Sequence, residues 1–151
     1  MSNWLDADTF RKVVDATPLV SIDLIVEDHE GRVLLGQRVN RPALDYWFVP
    51  GGRIQKNESL DVAFVRLTWA ELGCEFQRDQ AHFEGVYEHL YEDSVFGESP
   101  STHYVVLAYR LKVHATDLKL PEQQHSDYSW WSPAELLASE QVHTNTRAYF
   151  A

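Results

Sequence analysis

The sequence predicts an α+β fold (α/β in the broad sense), a mixed β-sheet sandwiched between helices, in one domain over residues 1–151. Three observations predict it. β-rich runs stand on both sides of one helical stretch. That stretch is entered through Pro50-Gly51-Gly52 and stopped by Gly73. A second helix start, Ser132-Pro133-Ala134-Glu135, follows the last β-rich run. With 44% apolar and 13% aromatic residues, a chain of 151 residues can bury a real core.

The elements follow in order. Asp8 to Val14 reads as a short helix, with Phe10, Val13 and Val14 at helical spacing. Leu19 to Glu27 is a β-rich run, Asp28-His29-Glu30-Gly31 a turn, and Arg32 to Arg38 a returning strand. Asn40 to Asp45 is a loop. Tyr46 to Val49 is a short strand that Pro50-Gly51-Gly52 ends. Glu58 to Leu72 carries Leu60, Ala63, Phe64 and Leu67 at the spacing of a helix packed on a sheet. Phe83 to Tyr91 and Tyr104 to Val113 are long strands around the polar loop Glu92 to Ser101, and Tyr128 to Trp131 is a last strand. There are no repeats and no linker.

Charge narrows the function. The net charge is −10, from 13 Lys and Arg against 23 Asp and Glu. Sequence-independent nucleic-acid binding needs the opposite balance, so none is expected. Arg32, Arg38, Arg41, Arg53, Lys56 and Arg66 nonetheless crowd one short window, which suits a small phosphorylated ligand. The single Cys74 allows no disulfide framework and is expected to pack as a small hydrophobe. No apolar run is long enough for a bilayer, and the first residues lack the pattern of a signal peptide, so no membrane partner and a cytoplasmic location are expected.

Read from Gly52, the spacing is Gly-x5-Glu-x7-Arg-x4-Glu-x-Gly, through Glu58, Arg66, Glu71 and Gly73. This resembles the Nudix box, the loop–helix–loop that holds Mg²⁺ on a nucleoside diphosphate. The family pattern has two further glutamates where this chain has Leu67 and Ala70. Positions 67, 70 and 71 share a helix face, so the metal face keeps one carboxylate, Glu71. A helix C-terminus is a poor place for an anion, and a bound cation would explain Glu71 there. Glu58 and Arg66 are expected to pair and brace the loop against the helix.

A second cluster, Leu120 to Tyr128, is a polar loop leading into a strand and contains Gln124 and His125. A loop histidine is usually only solvated. His125 stands out by its amide and carboxylate neighbours, and an ordinary pKa near 6.5 suits a general base.

Thr17 to Ser21, Asn40-Arg41-Pro42, Tyr46 to Arg53, Arg66-Leu67-Thr68, Thr102 to Leu107 and Asn145 to Phe150 sharpen the resemblance. Along almost the whole chain, depleted box included, the sequence is similar to the GDP-mannose mannosyl hydrolase branch of the Nudix family. The resemblance implies Mg²⁺-dependent hydrolysis of GDP-mannose, and of GDP-glucose, at the sugar carbon with inversion. It implies one Mg²⁺ per subunit, with Mn²⁺ as substitute, held by the Gly51 carbonyl, Glu71 and Gln124. It makes His125 the base. Arg38 and Arg53 would stabilise the diphosphate, His89 and Tyr104 would assist, and Asp23 would orient the sugar. It also implies a homodimer whose N-terminal segment reaches the neighbour's nucleotide site, where Phe10 or Trp4 could stack on guanine. The competing reading for these two aromatics is core packing of an amphipathic helix. Two other functions stay open: an ordinary Nudix pyrophosphohydrolase releasing GMP and sugar phosphate, and an inactive nucleotide-binding domain. The reduced box disfavours the first, since attack on phosphorus gains from several metals. Glu71, Gln124 and His125 disfavour the second.

Overall fold

The computed structural model describes residues 4–121 and 125–151, without the side chains of His125 and Ser126. Helix α1 (Ala7–Ala16) is capped by Asp6, whose carboxylate accepts from the Thr9 N–H at 2.7 Å. Strands β1 (Leu19–Glu27), β2 (Val33–Arg38), β3 (Trp47–Phe48) and β4 (Gly51–Arg53) follow, then helix α2 (Leu60–Leu72). Strands β5 (His82–Tyr91), β6 (Thr102–Lys112) and β7 (His125–Trp131) precede the short helices α3 (Pro133–Ala138) and α4 (Thr144–Arg147).

The sheet runs β3-β2-β1-β6-β5, with β4 also on β1 and β7 also on β2. It is mixed: β1 and β6 are parallel, and the other pairs are antiparallel. One edge of β1 serves two partners. Ser21, Ile22 and Asp23 face Arg53, Gly52 and Gly51 of β4, while Glu27 faces Val33 of β2. The candidate site lies where these two partners diverge.

Alternation along β1 builds two cores. Ile22, Leu24 and Val26 pack with Ala63, Phe64, Leu67 and Leu72 of α2. Ile25 turns to the other face, among Leu35, Phe48, Ala108, Leu136 of α3, Val142 and Tyr149. Each fully buried aliphatic side chain contributes roughly 1.5–3 kcal/mol. Helices therefore cover both faces, as the sequence predicts.

Several bounds shift by a residue or two from the sequence reading, and some differences have a physical reason. Helix α2 starts at Leu60, because Ser59 takes the cap position and its hydroxyl accepts from the Val62 N–H. Gly51-Gly52 does not simply end a strand; it forms β4 with Arg53. A Cβ on Gly51 would lie 2.3 Å from the Ile22 carbonyl oxygen, so only glycine allows that approach to β1. Strand β7 begins at His125, ahead of the apolar alternation, because it is zipped to β2. Helix α4 has four residues, too few to show a period. The stop at Gly73 holds: φ is +68°, and a Cβ there would lie 2.1 Å from the Lys119 carbonyl oxygen.

Candidate active site

The cleft is assembled from both layers. Asp23 comes from β1, Arg38 from the end of β2, Gly51 and Arg53 from β4, Glu71 from the end of α2, His89 from β5 and Tyr104 from β6. All seven line one open cleft. An adjoining, wider groove is lined by Trp4, Phe10, Leu67 and Ala70, and shares Arg38, Arg53, Glu71 and Tyr104. Leu67, Ala70 and Glu71 do present one helix face to it.

The box is braced as the sequence predicts. Arg66 donates through Nε to Glu58 Oε2 at 2.6 Å and through Nη2 to Glu58 Oε1 at 2.9 Å. The same Nη2 also donates to the Arg53 carbonyl at 2.9 Å, and Glu58 Oε1 accepts from the Gln55 N–H. This bidentate pair fixes the turn after β4 to α2. The pair depresses the Glu58 carboxyl below its ordinary range.

Two buried carboxyls face the cleft from opposite sides of Gly51. Glu71, 3% exposed, accepts the Gly51 N–H at 3.1 Å. Burial pushes its pKa up to about 7, against the Gly51 hydrogen bond and the charges of Arg38 and Arg66. Asp23 accepts the Tyr149 hydroxyl at 2.5 Å. Its pKa is also pushed up to about 7, first by burial and further by Glu71, while Tyr149 and Arg38 pull it down. His89 is buried beside Phe48, and burial, helped by His143, lowers it to about 4, so it is neutral at pH 7. Burial raises the Tyr104 hydroxyl.

Phe10 packs against Arg53 and Phe96 of the same chain. The Arg53 guanidinium lies 4.9 Å from its ring centre, and Phe96 lies 5.7 Å away on a tilted ring. Trp4 is exposed at the rim. Arg38 Nε donates to the Pro42 carbonyl at 2.9 Å, which anchors that side chain across the loop.

Comparison with known proteins then decides the family. The NUDIX domain profile matches residues 17–151. The chain belongs to the Nudix family. It is 38% identical over 126 residues to the low-salt glycan biosynthesis protein Agl8 of Haloferax volcanii, covering 83% of this chain and 78% of that protein. The MutT protein from Methanosarcina mazei Go1 superposes with a TM-score of 0.72 at 24% identity, over 89% of this chain and 92% of that one. The NUDIX domain of Shewanella oneidensis NrtR, solved with ADP ribose, gives 0.64 at 21% identity, over 96% and 90%. These two structures share the Nudix fold.

Nudix hydrolases generally use divalent ions such as Mg²⁺. Among the described residues, no group of three or more His, Cys, Asp or Glu side chains is arranged to hold a metal. The expected set asks for less: one carboxylate, one backbone carbonyl and one amide. The chemistry of Glu71 fits a hard cation. Its carboxyl is buried at a helix C-terminus, is held by a neutral N–H, and makes no ion pair among the described residues. Gln124 lies outside the described residues. His125 is described by its backbone alone, which lies opposite Arg38 in the β2–β7 pair.

Sequence reasoning gave no role to Tyr149 or Tyr91. Tyr91 lines the Nudix cleft, and Tyr149 stands behind it. Their signal was a cluster of aromatics at alternate positions of one strand, Tyr87, His89 and Tyr91, together with the Tyr149-Phe150 segment that packs on it.

Proposed function

We propose that this Nudix protein hydrolyses a GDP-sugar, GDP-mannose and also GDP-glucose, to GDP and the free sugar. Water attacks the anomeric carbon, the bond from that carbon to the diphosphate oxygen breaks, and the centre inverts. The observation that carries this reading is the reduced box: of its usual carboxylate face only Glu71 remains, beside Leu67 and Ala70 in the same groove. The name of the Haloferax volcanii relative, a glycan biosynthesis protein, supports a sugar-linked substrate.

Gly51, Glu71 and Gln124 would hold Mg²⁺, whose chemistry when bound is to neutralise a departing diphosphate. Arg38 and Arg53 share that task on the leaving oxygens, where charge grows as the bond breaks. His89 and Tyr104 assist the arginines on the diphosphate, His125 takes the proton of the attacking water, and Asp23 orients the sugar. Phe10 stays on Arg53 and shapes the nucleotide end of the groove. The working unit is a cytoplasmic homodimer.

Heavy-oxygen water tests the reaction class. The label is expected in the released mannose, which forms first as the β-anomer from an α-linked substrate, as NMR reads before mutarotation. Label in a phosphate, or GMP as the main product, marks ordinary Nudix pyrophosphohydrolysis and defeats the proposal. No product at all marks a binding domain.

A further inference from the structure

Asp23 lines the cleft, and its two oxygens have different neighbours. Its Oδ1 lies against Gly51, 2.7 Å from where a Cβ would stand, while Oδ2 is turned back to the Tyr149 hydroxyl. Tyr149 is not part of the cleft lining. It arrives from the segment after α4, 126 residues along the chain from Asp23, with its N–H donating to the Thr146 carbonyl. Its ring stands edge-on to Tyr87 at 4.7 Å, and its hydroxyl is 3.3 Å from His89 Nε2. The phenol proton goes to the carboxylate, so the nitrogen facing the hydroxyl must carry its own proton to bond there. The second ring nitrogen, Nδ1, lies 4.0 Å from the same Asp23 oxygen. Asp23 thus sits in a three-member buried chain, His89–Tyr149–Asp23, which leaves Oδ1, against Gly51, as the oxygen not turned to Tyr149.

We infer that Tyr149 is a positioning residue: its hydroxyl fixes the rotamer of Asp23, so that one carboxyl oxygen stays aimed past Gly51 into the sugar end of the cleft. This rests on the proposed role of Asp23. Tyr149 touches no reacting atom. A rotamer held from behind matters because a loosely held group spends much of its time out of reacting geometry.

Tyr149→Phe removes one oxygen and keeps the ring. It is expected to lower kcat by roughly 10–100-fold, the worth of a hydrogen bond to a charged group, with KM within about twofold. In an Asp23→Ala background the same change is expected to cost nothing further. Equal losses in both backgrounds would make Tyr149 a packing residue and overturn the inference. A second readout needs no turnover: the Asp23 carboxyl ¹³C signal, assigned by its loss in Asp23→Asn, should move and broaden in Tyr149→Phe. An unmoved signal overturns the inference whatever the reaction is. If the wild type releases GMP, the reaction assignment falls, and the same cycle run on that reaction still decides the role of Tyr149. Should the variant fail to fold, the wild-type Tyr149 hydroxyl proton decides. Slow solvent exchange and a shift on adding GDP-mannose support the inference; fast exchange overturns it.

Discussion

Glu71 and Asp23 invite comparison. Both are buried, both are pushed up to about 7, and Gly51 separates them. Burial is the first cause in each case. The partners differ. Glu71 ends a helix of the α2 layer and has one backbone N–H, an incomplete shell that a cation would fill. Asp23 belongs to the opposite layer and is held by a side-chain hydroxyl delivered from the far end of the fold. Equal acidity therefore conceals unequal chemistry: one carboxyl has only a backbone N–H among the described residues, and the other is oriented by a side-chain hydroxyl. The shift alone names neither role, and the hydrogen-bond partners separate them.

The largest expected effect breaks this pair apart directly. Glu71→Gln should abolish measurable Mg²⁺ binding by calorimetry and cut turnover beyond the roughly 10–100-fold typical of losing an outer-shell partner. Asp23→Asn should leave Mg²⁺ affinity close to wild type while lowering turnover. Matching metal affinities in the two variants would erase the distinction.

Gly51→Ala acts on both carboxyls at once. The new methyl would meet the Ile22 carbonyl and Asp23 Oδ1, and the N–H that Glu71 accepts would move with β4. A loss of about 1–3 kcal/mol in denaturant unfolding is expected, with both metal affinity and turnover reduced. Loss of one property alone would show that the two sides are less tightly joined.

The last effect bears on stability alone and is read in pH. In metal-free protein the folded carboxyls of Asp23 and Glu71 keep protons up to about 7, against ordinary values of 3.8 and 4.5. The folded state therefore binds more protons between those limits. Their contribution is full below about pH 4 and is lost as pH rises through about 7. His89, lowered from 6.5 to about 4, works oppositely and favours folding as pH rises through that span. Wild type should thus lose stability relative to Asp23→Asn, and to Glu71→Gln, between pH 4 and 7 in EDTA. Mg²⁺ should recover the loss relative to Glu71→Gln only. A flat difference for Asp23→Asn would mean that its carboxyl titrates normally.

Much of this was legible because it is local. The box spacing put Glu58 and Arg66 in reach of each other, and Gly73 stopped α2, since both depend on one helix and its flanks. The seven cleft residues were named individually, and the fold brings them together. What escaped has no local period. β4 fits because Gly51 tolerates close contact with β1 and Gly52 with Leu67 of α2, and a hydropathy pattern does not record a missing Cβ. Tyr149 meets Asp23 through a tertiary hydrogen bond with no sequence spacing of its own. The N-terminal aromatics have two readings, and the contact of Phe10 with Arg53 in the same chain also has no sequence spacing of its own.

The parallel pairing of β1 with β6 has a consequence in time. Leu19 lies beside Tyr104 and Glu27 beside Lys112, so the central pair closes a loop that contains most of the other elements. Closing such a loop costs chain entropy before any contact repays it, and folds of this topology form slowly. Asp23 rides on β1 and Tyr104 on β6. The cleft is therefore a late product of folding: helix α2 and the β5–β6 hairpin can form early, but the charged groups meet only when the slowest pairing is complete.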